Sequence, residues 1–129
     1  MKVSNIDYVL VMNEKLTKKR PCAKECPLRI VMDRLGDKWS VLIISILWEN
    51  ETMRFNEIHN SIDGISLKVL TSCLRILEAD KFITRTVYAE VPPRVEYSLT
   101  EIGRDIVPYI QQLSEWAGKN LSNVKGKNE

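Results

Sequence analysis

Lys68, Thr71, Ser72 and Arg75 recur at i, i+3, i+4 and i+7 within "ISLKVLTSCLRIL" (Ile65 to Leu77), a spacing that puts their side chains on one face of a helix. Two cations and two hydroxyls with no acid among them make a donor-rich surface, suited to phosphates and to the acceptor-bearing edges of bases. Lys68 and Arg75 can reach phosphate or guanine, while Thr71 and Ser72 can donate to phosphate or touch a thymine methyl. Ser66 stands where it would cap this helix and, with the first N–H groups, hold a phosphate. A solvated surface helix would show the same residues, so this face alone leaves both readings open.

Other reactive groups are few. The chain has three cysteines, Cys22, Cys26 and Cys73, and one histidine, His59. Zinc asks for about four tetrahedral ligands. Cys73 falls on the apolar back of the helix, so a site at "CAKEC" would need the cysteine pairs of two chains, and no metal or cofactor is expected. His59 has no nucleophile or carboxylate partner in view. A glycine-rich phosphate loop and a paired acid and base are both missing from the sequence, and an enzyme is not expected.

The elements that must position these residues follow from periodicity. Leu67, Leu70, Leu74 and Leu77, widened by Cys73 and Ile76, form the inner stripe of the helix. Before it, Pro27 to Leu35 reads as a helix ended by Gly36. A second helix from an Asp37 N-cap to about Glu49 is apolar nearly all round, with Trp39 and Trp48 read as core. A short helix covers about Arg54 to Ser61, with Phe55, Ile58 and Ile62 inward, and "DGIS" turns through Gly64. Ile83 to Val91 and Arg94 to Leu99 alternate as a hairpin with Pro92 and Pro93 at its tip and Val95, Tyr97 and Leu99 inward. Thr100 caps a last helix to about Leu121, lined by Ile102, Ile106, Ile110, Leu113 and Trp116 or Ala117, which Pro108 should bend rather than end.

At 129 residues the chain fits one domain. It is read as an arm over 1–25, a domain over 26–121 and a disordered tail over 122–129. No apolar run approaches the ~20 residues of a membrane span. There is no signal-peptide layout, and the odd number of cysteines makes no disulfide framework, so a cytoplasmic location with reduced thiols and no membrane partner is expected. The net charge of +2, from 19 Lys plus Arg against 17 Asp plus Glu, does not by itself announce a nucleic-acid protein.

Helix, glycine-bearing turn, helix and hairpin is the order of a winged helix-turn-helix, a mainly α fold with a small β-hairpin (α+β). Its second helix enters the major groove of double-stranded DNA, and its wing tracks the backbone or enters the minor groove. Arg85, Tyr88 and Arg94 lie on or near the wing tip, and Arg54 falls where it can meet the backbone. Between Thr52 and Leu99 six basic residues meet six acids, so affinity must come from local segregation of charge and from two modules acting together.

"CPLRIVMDRLGDKWSVLIISIL", "RFNEIHNSIDGISLKVLTSCLRILEADKFITR", "VPPRVEYSLTEIGRDIVP" and "LSEWA" resemble, collinearly from about Cys26 to Trp116, the HxlR-type transcriptional regulators, a winged-helix family allied to the MarR regulators. The resemblance implies a homodimer on a roughly palindromic operator, paired through the first and last helices, here Leu28, Tyr109, Leu113 and Trp116. Asp37 departs from the second glycine usual in the family, and the arm before Cys26 is longer than the family's.

Several members of that family sense thiol-reactive or oxidising compounds through a cysteine near the first helix, and Cys26 matches the position. A helix start favours the thiolate, Lys24 and Arg29 add to that, and Cys22 is a candidate resolving partner. Cys26 packed at a dimer seam is the competing reading, and Cys73 is expected to be an inert core thiol. The expectation is a sequence-specific regulator, with a thiol signal or a small-molecule effector compatible with it. A protein-binding winged helix and a thiol redox protein are the alternatives.

Overall fold

A computed structural model describes residues 23–124. The chain divides between Gly36 and Asp37 into two units. The first contributes one described helix, α1 (Pro27–Leu35), with Pro27 in its first turn, where the missing N–H costs nothing. Gly36 ends it at φ −79°, in the right-handed region. Glycine is required there for space, because a Cβ would lie 2.2 Å from the Met32 carbonyl oxygen.

The second unit runs α2 (Ser40–Asn50), β1 (Thr52–Met53), α3 (Phe55–Ser61), α4 (Leu67–Ala79), β2 (Ile83–Tyr88), β3 (Arg94–Leu99), α5 (Glu101–Asp105) and α6 (Val107–Val124). Asp37 does the capping expected of it from two residues ahead of Trp39, the residue at the N-cap position. Its carboxylate accepts from the Trp39 and Ser40 amides at 3.1 Å each and from the Ser40 hydroxyl at 2.5 Å. Burial raises the Asp37 pKa, but those hydrogen bonds and one from the Cys73 thiol outweigh it and hold the carboxyl below its ordinary 3.8.

The core gathers Ile43, Ile44 and Leu47 of α2, Ile58 of α3, Leu70, Leu74 and Leu77 of α4, and Ile83, Leu99 and Val107. The inward face of α2 is narrower than its composition suggests. Leu42 and Trp48 are about 45% exposed, and Trp39 is half-buried ahead of the helix, so Trp48 is not core.

Three antiparallel strands lie in the order β1-β3-β2. Thr52 and Met53, to which the sequence assigns no element, pair with Ser98 and Tyr97. Two residues are too few for strand periodicity to register. Across the hairpin Ile83 faces Leu99, Arg85 faces Tyr97 and Tyr88 faces Arg94, and the tip holds a cis Val91–Pro92 peptide.

Gly64 takes φ +88° in the turn between α3 and α4, a conformation open to glycine at no steric cost. The last helix is divided rather than bent. Proline lacks the N–H that would continue the ladder, so α5 stops at Asp105 and α6 begins at Val107, continuing to Val124, past the expected Leu121. The arm over 1–22 and the last five residues lie outside the described residues.

Replacing Asp37 with Ala removes the cap of α2 and should cost about 1 kcal/mol in urea unfolding at neutral pH. Because the folded pKa is depressed, this contribution is present above 3.8 and disappears as the pH falls through the lower folded value. The parent and variant unfolding curves should therefore converge in acid. Equal stability at pH 7 would remove the capping role.

Candidate nucleic-acid interface

Helix α4 is anchored by one side. Leu70, Leu74 and Leu77 are within 2% of full burial and Cys73 is buried with them. Its N-terminus is fixed by Ser66, whose hydroxyl accepts the Val69 N–H at 3.1 Å. Its C-terminus closes with the Phe82 N–H on the Leu77 carbonyl at 2.9 Å, over Lys81 at φ +68°.

The opposite side presents Lys68, Ser72 and Arg75, all exposed, as the spacing predicted. Thr71 is half-buried, and its hydroxyl donates to the Leu67 carbonyl at 2.8 Å. The inner stripe is narrower than predicted. Leu67 is 56% exposed at the helix start and Ile76 47% exposed at the edge of the polar face. Glu78, one residue past Leu77, adds an exposed acid in the last turn.

The structure separates the predicted wing residues. Directly opposed residues of an antiparallel pair share a face of the sheet. Arg85 therefore lies on the side of Tyr97, which is buried, whereas Tyr88 and Arg94 lie on the other side. Arg85, Arg75 and Thr71 line one cleft of about 350 Å³ between α4 and the hairpin, walled by Phe55, Leu74 and Tyr97. Among the described residues, neither Arg75 nor Arg85 makes a hydrogen bond or ion pair.

Arg94 is held in place. Its guanidinium meets Glu90 at 3.0 Å and Glu96 at 3.5 Å, and it stacks over the Tyr88 ring at 4.1 Å, in cation–π range. The strand alternation already carried this signal, since Val95, Tyr97 and Leu99 inward put Arg94 outward beside Glu96. Arg54 is exposed at the start of α3, where its N–H donates to Glu57 at 2.8 Å.

The thiols differ. Cys73 donates to the Asp37 carboxylate at 3.7 Å, and burial, with the Asp37 charge and that hydrogen bond, pushes its pKa up to about 11. Cys26 sits at the N-cap of α1, 5% exposed, and Cys22 lies outside the described residues. His59 is half-buried on α3, and among the described residues no three metal-ligating side chains come together. No described helix is long and apolar enough to cross a membrane. On α1 and α6, Leu28, Tyr109, Leu113 and Trp116 are each more than half exposed.

The HxlR-like helix-turn-helix family profile matches residues 34–125. The chain belongs to the HxlR-like helix-turn-helix family. These are transcriptional regulators, and the winged-helix fold expected from the order of elements is the fold observed. The HTH-type transcriptional regulator YtfH of Escherichia coli is 37% identical over 113 residues, 88% of this chain and 89% of its own. The redox regulator HypR in its reduced form superposes with a TM-score of 0.72 at 38% identity, over 77% of this chain and 97% of that one. Reduced YodB of B. subtilis, also a transcriptional regulator, gives 0.64 at 36% identity, over 71% and 90%.

The raised pKa of Cys73 predicts that iodoacetamide at pH 8 leaves this thiol unmodified in the native protein and alkylates it after unfolding, since the thiolate is the nucleophile. Peptide mass spectrometry reads the site. Native labelling of Cys73 as fast as in denaturant would contradict the environment described.

Proposed function

We propose that the chain is a homodimeric, sequence-specific regulator that binds double-stranded DNA, with α4 in the major groove and the hairpin against the backbone. The observation that carries this reading is the pairing of an anchored back on α4 with an exposed face of Lys68, Ser72 and Arg75. Thr71 flanks that face, and Ser66 with the first N–H groups of α4 offers a phosphate seat. Arg75 and Arg85, which make no ion pair among the described residues, are available to bases and phosphates, and Arg54 to the backbone. Arg94 must exchange two carboxylates for a phosphate, so its share and that of Tyr88 is smaller.

Tyr109, Leu113 and Trp116 recur at i, i+4 and i+7 on α6, and Leu28 is likewise bare on α1, a pattern that supports pairing with a second copy. Two modules about one duplex turn apart, ~34 Å, would supply the affinity that one charge-neutral module lacks.

Four substitutions test the assignment, by titration of operator and random duplex against salt and, for Leu113, by sedimentation as well. Arg85→Ala should flatten the salt dependence by about one phosphate contact, and Arg94→Ala by less than one. Arg75→Ala should change discrimination among operators. Leu113→Lys, which sets a charge in the pairing face, should sediment as a monomer and bind more weakly. A parent protein that prefers no duplex, or variants that all match the parent, would defeat the reading.

A thiol signal read at Cys26, with Cys22 as resolving partner, is the second part of the proposal. It is supported by the place of Cys26 at the start of α1 and by the relatives HypR, a redox regulator also solved in its oxidized form, and YodB, also solved after diamide treatment. Diamide should change operator affinity at least tenfold in the parent and leave Cys26→Ser unaffected. An equal response in both would rule Cys26 out.

A further inference from the structure

Helix α4 shows three strips along its exposed side, and the polar face accounts for only two. Thr71 and Glu78 border the cleft beneath the hairpin, and Lys68, Ser72 and Arg75 form the centre. Val69 and Ile76 form the far edge, 37% and 47% exposed, seven residues apart and so on one side of the helix. Branched aliphatic side chains at this exposure lose stabilisation to water unless something apolar covers them.

We propose that Val69 and Ile76 are specificity determinants that pack against thymine C5-methyl groups, so that the operator half-site carries A·T pairs under this edge of α4. The inference rests on α4 being the base-reading helix. In the major groove, thymine alone places a methyl beside an acceptor, its O4. A row of donors with an apolar row alongside is the complementary arrangement. The central strip supplies the donors in Lys68, Ser72 and Arg75, and Ser72 lies between Val69 and Ile76 on the helical net. Val69 is in the first turn of α4, the part of such a helix that reaches base edges. Seven residues of helix span about 10.5 Å, or about three base steps of ~3.4 Å, so the two contacts fall on separate base pairs. Continuity with the donor strip favours DNA as the occupant over a protein surface.

The test selects duplexes from a random pool with the full chain, then replaces each half-site thymine by deoxyuridine, which removes only the methyl. Parent affinity should fall about fourfold at one or two positions, the equivalent of ~0.8 kcal/mol per buried methyl. Val69→Ala or Ile76→Ala should bind thymine and uracil alike at the matching position. Both are exposed helix positions where Ala favours the helix, so folding is retained. Lys68→Ala should weaken both duplexes equally and keep the methyl preference. Equal affinity of the parent for thymine and deoxyuridine duplexes, or a selected half-site without A·T pairs under α4, overturns the inference while leaving DNA binding intact. Failure to enrich any duplex overturns both, and the strip is then a protein-binding edge.

Discussion

The one-sided burial of α4 is the constraint on which the rest of the molecule depends. Leu70, Leu74 and Leu77 are almost wholly removed from water, and each contributes roughly 1.5–3 kcal/mol relative to exposure. Three such contacts set the rotation of the helix about its axis. A slip of one residue would turn it by about 100° and point the face of Lys68, Ser72 and Arg75 in a different direction. The same contacts that hold the fold therefore aim the polar face. The Ser66 cap and the Phe82 closure fix where that face begins and ends.

Asp37 adds a polar restraint to this apolar one. Its carboxylate gathers the first amides of α2, the Ser40 hydroxyl and the Cys73 thiol, so the start of the core helix and the back of α4 share one group. Glycine, usual at this position in the HxlR-type pattern, could offer none of these acceptors. The contact also withdraws Cys73 from thiolate chemistry, which leaves any thiol signal to the cysteines ahead of or at the start of α1.

Much of this was legible in the residues, for particular reasons. The spacing of Leu70, Leu74 and Leu77 in α4, Ser66 before it, Gly64 in the turn and Pro27 opening α1 are local signals with one mechanical meaning each, and the structure has them in those roles, while Leu67 at the helix start stays exposed. What could not be read depends on partners distant in the chain. The β1 strand exists only because Ser98 and Tyr97 offer it an edge, and the Cys73–Asp37 contact spans 36 residues. Helical spacing puts Ile76 inside and the all-round apolar run of α2 puts Trp48 there, whereas the geometry of the core leaves both at its margin. The break at Ile106 follows from Pro108, whose effect was anticipated in kind but not in degree. Arg85 and Arg94 are both basic and near the tip, yet strand parity sets them on opposite faces.

Charge is organised on the same plan. The module is neutral over Thr52 to Leu99, with Arg94 matched to Glu90 and Glu96, while among the described residues Arg75 and Arg85 make no ion pair at a cleft that Glu78 also lines. Neutrality in sum is compatible with a cationic working surface. The most direct measurement of that surface is amide chemical-shift mapping of the full chain with a selected duplex. The account predicts perturbations concentrated over Ser66 to Ile76 and along the hairpin, with α6 unmoved. Perturbations confined to α1 and α6, with α4 silent at saturating duplex, would contradict it.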